Sequence, residues 1–221
     1  MQIKIYVSTQ ADGSMKNDGD RYTDVLDNRE KFLKKHAIKI EDTTKVSVTF
    51  KENDYKRYKT VGPEAKGDGM NRQQEIISDA LVVIKPGHAL FLPLADCVGA
   101  VIYDQEKGIM MVSHLGRHSI EQNGGTKSVE YLVSNHDINP KDLKVWLSPA
   151  AGAQNYPLFS FNNQGLHQVA INQLLSAGVL LENIDASPID TTKDDRYYSH
   201  SQYLLGNRQT DGRFAIVAMM A

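Results

Sequence analysis

One cysteine in 221 residues leaves nothing to pair with in an internal disulfide. The opening Met1-Gln2-Ile3-Lys4-Ile5-Tyr6-Val7 alternates like a strand and has no signal-peptide core, and no apolar run is long enough to span a bilayer. These absences make a cytoplasmic location the economical expectation, with no membrane partner. An excess of one charge is missing too: 25 Lys and Arg stand against 27 Asp and Glu, for a net charge of −2. A nucleic-acid binder usually carries a basic stripe, so nucleic acid is not an expected partner. Repeats of fixed period and low-complexity tracts are absent, which excludes solenoids and disordered arrays. One cysteine also falls far short of the ligands that a multicopper oxidase requires. What remains is a globular composition, 41% apolar and 24% charged, at a length that suits one domain over residues 1–221.

Patterning then places the elements. Residues 1–9 read as a strand, 11–24 as a polar loop with an acidic cluster from Asp18 to Asp20, and 25–35 as a helix with Val25, Leu26, Phe32 and Leu33 on one face. Residues 45–50 alternate as a strand, and 53–74 are polar and punctuated by Gly62-Pro63 and Gly67-Asp68-Gly69, hence a long surface loop or flap. Apolar strands follow at 79–85 and 89–94. A hairpin pairs 98–103 with 109–112, a helix covers 128–133, and a strand covers 143–147. A helix at 164–177 stops at Gly178, and 214–219 is the last strand. Strands outnumber helices and hairpins occur, which predicts an α+β or layered α/β domain with a mixed sheet.

Cys97 precedes the first hairpin strand and His114 ends the second, so the pair is expected side by side at one edge of the sheet. A thiol and an imidazole so placed suit two chemistries. They are ligands for a zinc ion with an open position, or a cysteine nucleophile with its base. Taken alone, a cysteine before an apolar strand is as readily a small buried hydrophobe. Gly124-Gly125-Thr126-Lys127 looks superficially like a phosphate loop but lacks the motif's first glycine.

The surrounding words add a resemblance. Ser78-Asp79-Ala80-Leu81-Val82, Ala95-Asp96-Cys97, Tyr103-Asp104 and His114-Leu115-Gly116 follow the order and spacing of the polyphenol-oxidase or laccase-domain family, the YfiH-like proteins. Asp27-Asn28-Arg29-Glu30, Ser148-Pro149-Ala150-Ala151-Gly152 with Tyr156, Arg196-Tyr197-Tyr198-Ser199 and Gly212-Arg213-Phe214-Ala215 extend the likeness over nearly the whole chain. The resemblance implies a cytosolic α/β fold of layered sheets and helices, likened to the cysteine hydrolases. It also implies zinc or copper held by a His, Cys, His set, with purine nucleoside and phosphate as small-molecule partners of a phosphorylase or adenosine deaminase. Cys97 and His114 fall on the second and third ligand positions and are the expected catalytic residues.

Departures from the family pattern concern the site. The first ligand histidine is missing from the strand word Val48-Thr49-Phe50-Lys51, where Phe50 takes its place. Arg117-His118 replace Trp-Arg, Asn155 and Asp190 stand where cysteines are expected, and His200-Ser201 replace Tyr-Arg. His118 is the candidate to complete the metal set, four residues beyond His114. His88 and His200 read as surface or packing residues, and His36, His136 and His167 as structural. Without a third ligand, the alternatives are a metal-free Cys/His hydrolase or a binding module that keeps the fold.

Overall fold

The computed structural model describes residues 1–16 and 22–221. Its elements in chain order are β1 (Ile3–Val7), α1 (Tyr22–Lys35), β2 (Thr43–Lys45), β3 (Tyr58–Thr60), β4 (Ala80–Val83), β5 (Ala89–Leu94), β6 (Val98–Asp104), β7 (Ile109–Leu115), α2 (Arg117–Glu121), α3 (Gly124–His136), β8 (Lys144–Leu147), α4 (Leu166–Ser176), β9 (Ile184–Ala186), α5 (His200–Leu204) and β10 (Phe214–Met220). They form two mixed sheets, one ordered β1-β10-β5-β2 and the other β3-β4-β7-β6-β8-β9.

Strand alternation sorts the apolar residues into three layers of core. Leu81, Val83, Val101, Met110 and Val112 of the larger sheet meet Leu90, Leu92, Leu94, Ile216 and Ala218 of the smaller one. Their neighbours Ala80, Val82, Ala100, Ile102 and Met111 turn the other way, onto Val129 and Leu132 of α3 and Val169, Ala170 and Leu174 of α4. On the far side, Ala89, Phe91, Ala215 and Val217 pack on Phe32 and Leu33 of α1. The order is helix, sheet, sheet, helix. Both faces of both sheets are covered, which is why the central strands read as continuous apolar runs rather than alternating ones.

The expected layered α/β arrangement is what the structure shows, with differences in the first third of the chain. The strand expected at 45–50 ends at Lys45. The Val46 N–H still donates to the Phe91 carbonyl at 2.8 Å, but the Ser47 carbonyl accepts from Ser78 N–H at 3.0 Å, so the chain leaves the small sheet there. The segment 53–74 is not a free flap. It carries β3, parallel to β4, and buries Tyr55, Val61, Ala65 and Met70. Arg57 docks it, with Nε and Nη2 donating to the buried Asp79 carboxylate at 2.8 and 3.1 Å. The acidic cluster Asp18–Asp20, within the loop expected at 11–24, lies outside the described residues.

Candidate functional site

The β6–β7 hairpin brings the expected pair together. Gly99 is opposite His114 and Val98 opposite Leu115 in the antiparallel register, so Cys97, one residue before the strand, falls opposite Gly116. A Cβ built on Gly116 would lie 2.7 Å from His114 Cε1, 2.9 Å from Cys97 Sγ and 3.2 Å from His114 Nε2. Only glycine leaves room for both side chains to converge on that point. The turn before Cys97 is held by Asp96, which takes a left-handed φ of 76° and is buried. Its Oδ1 accepts from Thr191 Oγ1 at 3.0 Å and its Oδ2 from Ser201 N–H at 2.7 Å, tying the C-terminal third of the chain to the turn.

Neither member of the pair is charged near neutrality. Burial, then the nearby Asp96, pushes the Cys97 thiol up to about 12, against the opposing pull of Arg213 and the Arg117 backbone N–H. Burial pushes His114 down to about 4, and its Nδ1 has no hydrogen-bond partner among the described residues. The proton therefore stays on sulfur and the imidazole stays neutral.

The pair lines a cleft of about 720 Å³, a size that suits a drug-sized or nucleoside-sized ligand. One stretch of its wall is aromatic: His118 stacks on Tyr55 with centroids 4.9 Å apart, and Phe50, 67% exposed, stands edge-on at 6.3 Å from His118. Tyr156 is another lining residue, its hydroxyl pushed above the ordinary range by burial. Cations dominate the charge of the lining, among them Lys45, Arg117 and Arg213. Burial, and then Arg29 beside it, lowers Lys45 to about 8.

The expected metal set is not assembled. His118 is in the cleft, but its ring is taken up by Tyr55 and its Nδ1 faces Glu121 Oε2 at 3.8 Å. Among the described residues no three His, Cys, Asp or Glu side chains are grouped to hold a metal ion. Cys97 and His114 offer two donors, where a catalytic zinc site takes three from the protein. Zinc or copper, as the resemblance implies them, does not fit this donor set.

Two other substituted positions, Asn155 and Asp190, are not among the residues that line the cleft. Asp190 Oδ1 accepts from Gly152 N–H at 2.9 Å and Thr192 Oγ1 at 2.7 Å, and Asn155 Nδ2 donates to Thr192 Oγ1 at 2.8 Å. The two expected cysteines are thus replaced by a polar hub that holds 152 to 192. Gly125 N–H is taken by Gln173 Oε1 at 2.9 Å, so the glycine pair packs α3 on α4 and offers no phosphate loop. His88 is a packing residue, buried with Nε2 2.7 Å from Thr44 Oγ1, and His167 Nε2 is 2.8 Å from the Ser148 carbonyl oxygen. His200 departs from expectation: it lines the cleft, and its Nδ1 is 2.8 Å from Asp211 Oδ1. Asp211 is eleven residues on in an irregular stretch, and no periodicity would pair them.

The model of the multi-copper polyphenol oxidoreductase laccase family matches residues 8–162. A purine nucleoside phosphorylase of Corynebacterium glutamicum is 26% identical over 182 residues, 73% of this chain and 72% of that protein. A purine nucleoside phosphorylase of Xylella fastidiosa is 26% identical over 171 residues, 66% of this chain and 62% of that protein, so the match spans under two thirds of the latter. Among solved structures, the Bacillus licheniformis hypothetical protein YfiH superposes with a TM-score of 0.85 at 18% identity, covering 100% of this chain and 93% of that one. YlmD from Geobacillus stearothermophilus gives 0.85 at 20%, covering 98% and 91%.

Proposed function

The chain belongs to the multi-copper polyphenol oxidoreductase laccase family, and from that membership we propose that it is a purine nucleoside phosphorylase working without a bound metal. What carries the reading is the pairing, in one cleft, of an aromatic platform with unpaired cations. Phe50, beside Tyr55 and His118, offers a face to a purine. The side chains of Lys45 and Arg117 have no hydrogen-bond or ion-pair partner among the described residues and suit an anion of the phosphate class. The names of the relatives in Corynebacterium and Xylella point the same way.

Phosphorolysis suits the donor set. A phosphate oxygen attacks C1′ of the ribose as the C1′–N9 bond breaks, and the base leaves with the electron pair and takes up a proton. The attacking group arrives as an anion, so neither a metal-activated water nor a thiolate is needed. Deamination of adenosine requires a nucleophilic water at the purine ring, and the Cys97 and His114 pair falls one donor short of the zinc centre that would activate it. A cysteine hydrolase needs an ionised sulfur, and a thiol pushed up to about 12 beside an imidazole pushed down to about 4 lacks it. Cys97 and His114 serve as the uncharged floor against which the nucleoside rests.

The test is turnover of inosine and adenosine with and without inorganic phosphate, before and after chelation. Base release that requires phosphate and survives the chelator is expected. Phosphate-independent ammonia release, no turnover at high enzyme concentration, or one equivalent of zinc that disappears in Cys97→Ser would overturn the reading.

A further inference from the structure

Phosphorolysis leaves the departing purine in need of a proton, and the floor holds none to give: the thiol is too weak an acid and His114 is neutral. The C-terminal wall is built differently. His200 is half-buried in the cleft, with Nδ1 2.8 Å from Asp211 Oδ1 and no hydrogen-bond partner at Nε2 among the described residues. Asp211 also accepts from Arg213 Nη1 at 2.7 Å and from Lys16 Nζ at 2.6 Å. Burial alone would raise its carboxyl, but hydrogen bonds from Lys16, Arg213 and His200 hold it well below the usual carboxylate range. An ionised carboxylate on Nδ1 fixes the proton there and leaves Nε2 as the nitrogen that exchanges with a ligand. Ser201 N–H, on the next residue, donates to Asp96 at 2.7 Å, which ties this dyad to the turn that carries Cys97.

We propose that His200 is the catalytic acid of the cleft and Asp211 its positioning residue, with Nε2–H delivering a proton to the purine as the C1′–N9 bond breaks. The proposal rests on the phosphorylase reading. The bond from phosphate oxygen to C1′ forms, the C1′–N9 pair passes to the purine, and the Nε2 proton passes to a purine nitrogen. His200 is left as neutral imidazole with Nδ1–H still on Asp211, and water reprotonates it after the base departs. Phosphate is the sole co-reactant. The resembled family has a tyrosine where this chain has His200.

The test compares inosine with 7-methylinosine, whose cationic base departs neutral and needs no added proton. His200→Gln is expected to lower kcat for inosine on the order of 10²–10⁴-fold with KM little changed, while turnover of 7-methylinosine is largely retained. Asp211→Asn is expected to show the same split at smaller size. Equal loss on both substrates, or an effect confined to KM, would overturn the assignment. A wild-type enzyme that turns over neither nucleoside sinks the phosphorylase reading and the acid with it, whereas inosine turnover that survives His200→Gln sinks the acid alone. Should His200→Gln fail to fold, carbethoxylation of the wild-type protein carries the test. Inosine is expected to protect His200 from modification, and modification unaffected by inosine overturns the proposal.

Discussion

His114 and His200 line the same cleft and are held in opposite ways. His114 sits on the central hairpin, 8% exposed, and among the described residues nothing bonds to its Nδ1. His200 opens a short helix at the edge, with an anionic carboxylate on its Nδ1 that is itself fixed by Lys16 and Arg213. Burial without a partner removes the proton from the first imidazole, whereas the second holds a carboxylate on Nδ1 and turns Nε2 to the cleft. The floor therefore shapes and the wall transfers. The family words in the sequence are densest around the hairpin, while His200 stands at a position that departs from the family pattern.

The largest break between the two should come with acid. His114 and His88 are both buried and pushed down to about 4 from an ordinary 6.5, so the unfolded chain binds protons that the folded one refuses. Their contribution is complete above pH 6.5 and is lost as pH falls toward 4, at about 3 kcal/mol each. Asp211 runs the other way in range: its folded carboxyl is depressed below 3.8, so its contribution persists above that value and is lost only as pH falls further. Urea melts from pH 8 to 4 are expected to show a stability decline that begins near 6.5. A flat profile down to pH 4 would break the account of the floor. His114→Leu sharpens it: at pH 8 stability should hold or rise, because a buried unpartnered nitrogen is removed, and the decline toward pH 4 should shrink by about 3 kcal/mol.

How far the sequence reveals these two regions follows from what each rests on. The hairpin is legible because strand patterning and the turn at 104–108 place Cys97 and His114 at one edge, and the register confirms it. The sandwich of layers is legible because strands covered on both faces become apolar runs. The strand at 45–50 misleads, since Val46, Val48 and Phe50 alternate as a strand does while the backbone leaves the small sheet after Val46 and all three residues border the cleft. The segment 53–74 hides its docking, because Arg57 and Asp79 meet across 22 residues and each alone reads as surface charge. His118 four residues after His114 suggests convergence, but Gly116 starts α2 and Tyr55, from that distant segment, captures the ring. The dyad has no local signal at all.

Two smaller effects test the joint between floor and wall. Asp96→Asn preserves the volume and tolerates the left-handed φ, and its carbonyl oxygen can still accept from Thr191. It cannot accept from Ser201 N–H with its amide nitrogen, so a cost of about 1–3 kcal/mol in chemical denaturation is expected. A loss of nucleoside turnover larger than that in stability would show that the tie positions His200 rather than merely holding the fold. Phe50→Ala should be smallest in stability, within about 0.5 kcal/mol, because the ring is largely exposed. Its effect belongs to binding: removing one face of the purine platform should raise KM for inosine by about 0.5–1.5 kcal/mol of lost stacking while kcat changes little. An unchanged KM would separate Phe50 from the ligand and leave Tyr55, His118 and Tyr156 as the aromatic wall that the base meets.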